Sequence, residues 1–409
     1  MGIEIRAAVP EDLSEIGRLD GIAFGEQLSA QDLADAFDVE PPRFVVATED
    51  GSIVGVAGDF RFDMTVPGSP TAAHPAPALP SLGVPGVTWV SVSPTRRRRG
   101  ILRRLMEFQL AEYAAAAEPA AILTASQGGI YRRFGYGPAA VTRAVSIDRR
   151  LTGLLTPVAD SAVQVLSADR ARAVLPSLHR NWRKQVPGAL SRSEAWWDRL
   201  FLDREQHRGG RSAKFYLVHP EGYLSYRIHN GWNGGDAESV CSIVDYAPGS
   251  ASAHAALWQT LLAMDLVSVI ESEQVPIDDP LPFLLTDHRA LKTTALRDGL
   301  WLRPVTVPAL LAARGYGLDV DVVIRVLDDQ LGDSTVRLQA TPGGAMCEPA
   351  SSVADVELPA AALGSVYLGG HRLRTLARAG LARADDPALL ARVDLAFAAD
   401  PAPRHGTGF

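Results

Sequence analysis

The stretch Thr88-Trp-Val-Ser-Val-Ser-Pro-Thr-Arg-Arg-Arg-Arg-Gly-Ile-Leu-Arg-Arg-Leu105 decides the fold. The small and apolar run from Val87 to Val92 is typical of a buried strand, and Pro94 ends it. Apolar residues at helical spacing follow from Ile101. The stretch therefore predicts a strand, a tight turn and a helix that begins near Arg97 to Gly100.

Four arginines, Arg96 to Arg99, stand at this helix start. The macrodipole and the unpaired N–H groups of a helix N-terminus favour anions, so a bound polyanion would remove the conflict. Gly100 allows the main chain to approach that anion, and guanidinium groups suit a pyrophosphate. The alternatives are a solvated basic face or a nucleic-acid patch, and both are less favoured between a buried strand and an amphipathic helix.

Composition excludes several classes of protein. A chain of 409 residues suggests about two or three domains, and 47% hydrophobic with 21% charged residues is typical of a globular protein. No uncharged apolar run reaches the length of a membrane span, and the N-terminus lacks a secretory pattern, so we expect a cytoplasmic protein. Cys241, Cys347 and the scattered histidines match no disulfide or metal pattern, so we expect no metal.

The charge distribution favours a cationic partner. A net charge of −7 argues against nucleic acid, and residues 1–40 carry ten acids against two arginines, a local balance of −8. Most of these acids suit a solvated helix face, but a cleft lined by some of them would attract a cationic substrate.

The first part of the chain alternates strand and helix patterns in the order β-α-α-β-β-β-α-β. The predicted elements around the central stretch are a strand at Ile3–Ala8, helices at Pro10–Leu19 and Ala30–Phe37, a hairpin at Arg43–Gly58, a segment Asp59–Val66 that continues the hairpin or starts another strand, a surface loop at Pro67–Pro85, and a strand at Ala120–Ser126.

The second part repeats this pattern in weaker form. Phe215 to Tyr226 parallels the first hairpin, and Val240 to Pro248 with the helix Ala251 to Met264 parallels the central strand and helix. This copy has neither the arginine run nor a glycine at its helix start. We therefore interpret it as a structural duplicate without a pyrophosphate site.

From Gly299 onward the pattern predicts an α+β region. Its predicted elements are a helix at Ala309–Arg314, strands at Val320–Leu327, Thr335–Ala340 and Val353–Leu358, and helices at Ala360–Tyr367, Arg372–Ala379 and Pro387–Ala398. The predicted domains are residues 1–150, 151–298 and 299–409.

The strand, Arg-x-x-Gly and helix resemble the acyl-coenzyme A signature of GNAT acetyltransferases, although that signature usually has Gly or Ala where this chain has Leu102. Nearly the whole chain resembles the Eis-type (enhanced intracellular survival) N-acetyltransferases. The motifs that carry the resemblance are Val90–Arg103, Gly128–Pro138, Trp182–Gly188, Asp279-Pro-Leu-Pro, Leu285-Thr-Asp, Asp298–Arg303, Val366–Arg372 and the terminal Phe409.

The resemblance implies an α+β fold, with tandem GNAT domains followed by a sterol-carrier-like (SCP2-like) domain, and a homohexamer. It implies acetyl-CoA-dependent acetylation of amines in polycationic substrates, including aminoglycosides and lysine side chains. The acetyl-CoA residues implied by the family are Val90, Ser91, Val92, Arg98, Arg99, Gly100, Ile101, Leu102, Arg103, Ser126 and Gln127.

The family's catalytic groups correspond here to Tyr131 as general acid and to the C-terminal carboxylate of Phe409 as general base. A phenol with a pKa of about 10 is protonated at neutral pH, but Tyr131 also suits a packed aromatic residue. A carboxylate is a weak base in water, so Phe409 must be desolvated or act through water, and the alternative is a frayed terminus. Glu26 is the candidate residue of an acidic substrate pocket. Gly408 replaces an acid found in some members, which leaves the amine preference open.

Three hypotheses follow. The first is an amine N-acetyltransferase. The second is a lipid- or acyl-CoA-binding protein without acetyl transfer, in which the region after Gly299 does the work. The third is an N-terminal fatty-acyl transferase, which shares the tandem fold and the terminal carboxylate.

Overall fold

The structure is a computed structural model that describes residues 2–37, 43–68, 78–159 and 162–409. The strands in chain order are β1 (Glu4–Ala7), β2 (Arg43–Glu49), β3 (Ser52–Thr65), β4 (Ser81–Val92), β5 (Ala120–Thr124), β6 (Gly137–Pro138), β7 (Val141–Asp148), β8 (Gln164–Leu166), β9 (Phe215–His219), β10 (Gly222–His229), β11 (Trp232–Asn233), β12 (Asp236–Ala237), β13 (Ser239–Pro248), β14 (Val267–Val275), β15 (Leu291–Asp298), β16 (Leu300–Pro304), β17 (Val320–Leu327), β18 (Ser334–Thr341), β19 (Gly344–Pro349), β20 (Val356–Pro359) and β21 (Arg383–Ala384). The helices are α1 (Leu13–Phe24), α2 (Ala30–Phe37), α3 (Ile101–Ala115), α4 (Ala168–Arg183), α5 (Glu194–Leu202), α6 (Ala251–Leu262), α7 (Leu281–Leu284), α8 (Val307–Ala312), α9 (Ala360–Tyr367), α10 (Leu373–Arg378) and α11 (Pro387–Ala396).

The described residues form two compact units. Unit one contains those within Met1–Ala140, Gly299–Asp400 and Gly408–Phe409, and unit two contains those within Val141–Asp298 and Pro401–Thr407. The units reflect compactness and not sequence repeats, so the domain boundaries 1–150, 151–298 and 299–409 stay a prediction.

The main sheet of unit one has the strand order β1-β2-β3-β4-β5-β16-β6. Its pairs are antiparallel except β4 and β5, which are parallel. Alternate side chains of a strand point to opposite faces, and both faces are covered here. Phe44 and Val46 pack with Ile16 of α1, whereas Val45 and Ala47 pack with Ile101 of α3. The α1 face and the α3 face of this sheet are therefore both apolar, which explains the continuous apolar run of β2.

A second sheet of unit one, with the order β19-β18-β17-β20-β21, is built from the C-terminal region. Its core packs against α8, α9 and α11. Glycines bring α9 onto the β6 and β16 edge of the main sheet, because a Cβ on Gly137 would lie 1.8 Å from the carbonyl oxygen of Ala361. The C-terminal region and the main sheet thus share close main-chain packing inside unit one.

Unit two has a sheet of order β15-β7-β14-β13-β10-β9-β8, with a parallel β13–β14 pair on either side of α6 in the sequence. This is the arrangement of β4, α3 and β5 in unit one, so the predicted repeat is confirmed. Two strands each lie in a different sheet from the strand that precedes them in the sequence. β16 lies between β5 and β6, and β7 joins β14 and β15.

The predicted elements largely coincide with described ones, but several described elements were not predicted, among them α4, α5, β7, β14 and β15. The predicted loop Pro67–Pro85 is wrong at its end, because β4 begins at Ser81, and residues 69–77 lie outside the described residues. The helix expected from Pro10 begins with a 3₁₀ turn and continues as α1 to Phe24. The strand β19 was not predicted, because its mixed sequence Gly-Ala-Met-Cys-Glu-Pro lacks a clear alternation.

The segment Pro401–Thr407 is packed in unit two. Arg192 donates hydrogen bonds to both carboxylate oxygens of Asp245, at 2.7 and 3.1 Å, to the carbonyl oxygen of Gly406 at 2.6 Å, and to Thr407 Oγ1 at 3.0 Å. Arg404 is buried and stacks on Trp182. The tail is therefore held in place up to Thr407, and the alternative of a frayed terminus is wrong for these residues.

Candidate active site

The strand β4 separates from β5 halfway along its length. The two strands pair only at Gly86 with Ile122 and at Val87 with Leu123, although β4 continues to Val92. The β3 register shifts opposite the same region, and Trp89 has a φ of 52°. A bulky residue in the left-handed region costs about 1–3 kcal/mol and marks a bulge that the surrounding structure enforces.

The bulge leaves the β5 side of β4 without a described strand partner from Thr88 to Val92. The three strand residues predicted to bind acetyl-CoA, Val90, Ser91 and Val92, lie in this part. Its main-chain N–H and C=O groups are free to pair with an extended ligand, in the manner of an added strand.

The helix α3 follows β4 and begins without a side-chain cap. Its N-cap is Gly100, with φ of 78°, and a Cβ there would meet nothing within 4 Å. The first N–H groups of the helix, at Ile101, Leu102 and Arg103, have no intrahelical partner. The open Gly100 position and these donors form a cradle of the size and polarity that an anion needs.

The arginines before α3 divide into two groups. Arg96 and Arg99 bind the carboxylate of Glu49, and Arg99 uses both of its terminal nitrogens, at 3.0 and 2.6 Å. These arginines lower the pKa of Glu49 to about 2, Arg99 having the larger effect. Arg98 and Arg103 form no ion pair with a residue in the described ranges. Arg99 therefore has a protein partner, and its role toward acetyl-CoA stays a prediction.

The matching helix of unit two is capped by its own side chains. Ser250 accepts a hydrogen bond from the N–H of Ala253, and the carboxylate of Glu221 accepts hydrogen bonds from Ser250 and Ser252. A protein carboxylate thus lies at this helix start, which agrees with the interpretation of the second copy as a structural duplicate.

The turn after β5 carries three of the predicted residues. Ser126 and Gln127 are exposed directly after the strand, and Tyr131 follows at the start of a short 3₁₀ helix. Tyr131 is only 6% exposed and its ring lies edge-on against Tyr136 at 6.1 Å. Burial raises the pKa of Tyr131 to about 12, so the hydroxyl keeps its proton at neutral pH.

Phe409 lies on the main sheet of unit one. Its ring is 4.9 Å from the ring of Phe62, and Thr124 Oγ1 donates a hydrogen bond to its main-chain oxygen at 3.1 Å. A Cβ on Gly86 would lie 2.6 Å from Phe62 and 2.9 Å from Phe409. Because Gly86 has no side chain, the rings of Phe62 and Phe409 can both pack against the main chain of β4 at this position.

Tyr131 and Phe409 approach the β4–β5 opening from opposite faces of the sheet. Tyr131 belongs to the cluster on the α3 face, with Val87 and Met106. Gly86 precedes Val87 in the strand, so its Cβ direction, which Phe409 occupies, points to the α1 face. Tyr131 and Phe409 therefore lie on opposite faces of the sheet, beside the place where β4 and β5 separate.

Two acids lie on the α1 side of β4. Ser91 donates a hydrogen bond to Asp20 of α1, and burial raises the pKa of Asp20, with a smaller contribution from the charge of Glu26. The Glu26 side chain itself is exposed. Glu26 was predicted from the sequence but Asp20 was not, because the Asp20–Ser91 contact joins residues 71 apart and no local pattern reveals it.

The described residues include neither a candidate membrane-spanning helix nor a candidate metal site. There, no helix has the length and apolarity that a membrane crossing requires. Nor do three or more histidine, cysteine, aspartate or glutamate side chains gather into a group that could hold a metal ion.

Comparison with known families assigns nearly the whole chain. The acetyltransferase (GNAT) domain family matches residues 4–139, a second acetyltransferase (GNAT) domain family matches residues 188–304, and the sterol carrier protein domain matches residues 307–404. The predicted fold class, tandem GNAT domains followed by a sterol-carrier-like domain, is confirmed.

Individual relatives agree with these families. The chain is 37% identical to the N-acetyltransferase Eis of Mycobacterium tuberculosis over 88% of both chains. It is 35% identical to an uncharacterised N-acetyltransferase of Streptomyces coelicolor over 87% of this chain and 86% of that one. The crystal structure of Eis1 from Mycobacterium abscessus superposes with a TM-score of 0.88 at 33% identity, covering 99% of this chain and all of the other. The protein is thus an N-acetyltransferase, and it belongs to the Eis-type family of GNAT enzymes.

Proposed function

We propose that this enzyme transfers the acetyl group of acetyl-CoA to amines of polycationic substrates, such as aminoglycosides and lysine side chains. Tyr131 acts as the general acid and the terminal carboxylate of Phe409 as the general base. The observation that carries this proposal is the placement of these two groups on opposite faces of the sheet, at the opening between β4 and β5.

The chain offers a fitting site for acetyl-CoA. The free side of β4 at Val90–Val92 suits the pantetheine amides, and the uncapped start of α3 at Gly100 suits the pyrophosphate. Arg98 and Arg103 are available to the phosphates, and Ser126 and Gln127 border the site at the end of β5. The bound coenzyme supplies an acetyl group as a thioester.

The protein's own groups handle the protons. Phe409 takes a proton from the substrate ammonium, directly or through water, and so generates the neutral amine that can attack the thioester. The free N–H groups of β4 donate to the thioester carbonyl oxygen as negative charge develops there. Tyr131 gives its hydroxyl proton to the departing thiolate sulfur, which a buried neutral phenol is suited to do. The proton that the attacking nitrogen loses on forming the amide then restores the phenol through water.

Acids on the α1 side of the sheet support a cationic substrate. Asp20 is partly buried and forms no ion pair with a described cation, and Glu26 lies close enough to raise its pKa. An ammonium group of the substrate would pair with these carboxylates and stabilise their ionised forms. We further propose the three sequence domains given above and a homohexameric assembly, both by analogy with the family.

The direct test is thiol release from acetyl-CoA with a panel of amines. We expect turnover with aminoglycosides, lysine-containing peptides and linear polyamines, and a higher KM for monoamines of the same reactive group, because these lack the additional cations. Parallel competition by acetyl-CoA and by long-chain acyl-CoA measures the acyl preference. Absence of turnover with every amine, together with co-purified lipid, would favour the lipid-binding hypothesis, and preferential binding of long-chain acyl-CoA would favour fatty-acyl transfer.

Gly100→Ala tests the pyrophosphate cradle, with Gly380→Ala as the matched control. Both glycines have a left-handed backbone, with φ of 78° and 74°, and open space at the Cβ position. Each substitution should therefore cost a similar strain, about 1–2 kcal/mol in the free energy of unfolding. Only Gly100→Ala should raise the Kd of acetyl-CoA, by about tenfold or more, which corresponds to about 1.4 kcal/mol. Calorimetric titration measures the Kd, and equal affinity of both variants would contradict the assignment.

A further inference from the structure

An ion pair between the fully buried Arg303 and the largely buried Asp328 lies beside the turn that follows Tyr131. Arg303 of β16 is 0% exposed, and its guanidinium donates to both carboxylate oxygens of Asp328, at 2.6 and 2.9 Å. Its Nη1 also donates to the carbonyl oxygen of Pro304 at 2.8 Å. A buried ion pair is a poor means of stabilising a fold, because desolvation offsets most of the attraction. Stability alone therefore does not account for this ion pair.

The guanidinium of Arg303 lies directly against Gly135. A Cβ on Gly135 would come within 2.7 to 2.8 Å of three guanidinium atoms, and Gly135 has a φ of 81°. Such a close approach is possible only because this position has no side chain. The cation thus supports the main chain of the turn itself.

This turn holds Tyr131. The N–H of Phe134 and, at a longer 3.4 Å, the N–H of Tyr136 donate to the carbonyl oxygen of Tyr131. The ring of Tyr136 is fully buried and lies edge-on against the ring of Tyr131. A shift of Gly135 would therefore be transmitted to Tyr131 through the main chain on one side and through the Tyr136 ring on the other.

Asp328 keeps Arg303 in this position. It lies just after β17, inside the segment that matches the sterol carrier protein domain. Its Oδ1 also accepts hydrogen bonds from the N–H groups of Gln330 and Leu331, at 3.0 and 3.2 Å. The carboxylate is thus anchored by its own turn before it binds the arginine.

We propose that Arg303, held by Asp328, is a positioning residue for the general acid Tyr131, and that the sterol-carrier-like domain thereby contributes to acetyl transfer. This inference rests on the proposed role of Tyr131. It gives the C-terminal domain a second contribution to catalysis, besides the terminal carboxylate of Phe409, and this contribution needs no lipid ligand.

The primary variant is Asp328→Asn, which keeps an acceptor for Gln330 and Leu331 but removes the charge that orients Arg303. We expect kcat to fall about 10-fold to 100-fold, since a displacement of about 1 Å can cost about 100-fold in rate. The KM for acetyl-CoA should stay within about twofold, because most of the predicted coenzyme residues lie on β4 and at the start of α3. The matched control is Asp321→Asn, which breaks the exposed ion pair with Arg337 in the same domain and should leave kcat unchanged.

A double-mutant cycle separates this inference from the proposed function. If Arg303 and Asp328 act through Tyr131, Asp328→Asn should cause no further loss of kcat in a Tyr131→Phe background, whereas an independent structural effect would multiply the loss. Full turnover by Tyr131→Phe would overturn the role of Tyr131. Loss of turnover by Tyr131→Phe with a normal kcat for Asp328→Asn would overturn the positioning role alone.

A second variant covers the case in which Asp328→Asn does not fold. Arg303→Met combined with Asp328→Leu replaces the ion pair by apolar side chains of similar volume, which buried pairs often tolerate. The melting temperature should then stay close to that of the parent enzyme while kcat still falls. A stable double variant with parental kcat would contradict the proposal.

Discussion

Tyr131→Phe should lower kcat by about 100-fold to 10,000-fold, the usual contribution of a general acid, while acetyl-CoA binds as before. The substitution removes one hydroxyl and keeps the ring, which is buried in the α3-face cluster and packs on Tyr136. The fold and the coenzyme cradle should therefore persist. Thiol release measures turnover, and calorimetric titration measures coenzyme affinity.

The pH dependence adds a signature to this prediction. Because burial raises the pKa of Tyr131 to about 12, the phenol is neutral below that pH and loses its proton only above it. The acid is therefore competent across the range from pH 7 to pH 10. The ratio of parental to Tyr131→Phe turnover should stay constant over this range. A ratio that falls with a midpoint near pH 10 would indicate that the phenol is not buried in the working enzyme.

Tyr216→Phe is the matched control. Tyr216 is also buried, and burial raises its pKa to about 12, but it packs on Phe201 in unit two. Loss of this hydroxyl should leave both kcat and KM unchanged. Equal kcat in Tyr131→Phe and the parent enzyme would remove Tyr131 from the mechanism.

Extension of the chain by two or three residues beyond Phe409 should have an effect of similar size. Each added residue moves the terminal carboxylate by up to about 3.5 Å, so the base would leave its place beside Thr124. We expect kcat to fall by about 100-fold or more, with acetyl-CoA affinity little changed, because most of the predicted coenzyme residues lie on β4 and at the start of α3. Thiol release with a polyamine under saturating coenzyme measures the effect.

The same residues added at the N-terminus provide the control for the extension, and Thr124→Val provides an intermediate case. Removal of the Thr124 hydroxyl takes away the one hydrogen bond described for the Phe409 main-chain oxygen but keeps the Phe62 and Gly86 contacts. Its loss of kcat should therefore be smaller than that of the extension. Undiminished turnover of the extended chain would assign the base to another group, and Asp20 would then be the first carboxylate to test.

Much of the fold was predictable because the signals are local. The alternation in Arg43 to Gly58, the Asp-Gly turn and the apolar spacing after Gly100 each specify one element through neighbouring residues. The repeat in the second half was also visible, since the same local patterns recur in the same order. The β4 start at Ser81 was missed because proline, alanine and glycine dominate the residues before it and resemble a loop.

Other features were hidden because they depend on partners distant in the sequence. The sequence does not predict that β7 joins the sheet of unit two or that β16 joins the main sheet of unit one. The residue pattern of a strand is the same in either sheet, so it does not identify the neighbouring strands. The arginine run indicated an anion site. The ion pairs of Arg96 and Arg99 with Glu49 were not predictable, because they form only when the end of β2 lies beside the residues before α3. The Asp20–Ser91 contact is of the same kind.

The sequence by itself determined the strand, tight turn and glycine-started helix that suit a pyrophosphate, because helix starts and strand ends are set by a few adjacent residues. Only the tertiary structure decided that Tyr131 and Phe409 lie on opposite faces of the sheet at one opening, and that Arg303 lies against Gly135 in the turn after Tyr131. These arrangements depend on contacts such as that of Thr124 with Phe409, 285 residues apart. The physical reason is that local free energies select an element, whereas burial and packing against distant residues select its neighbours.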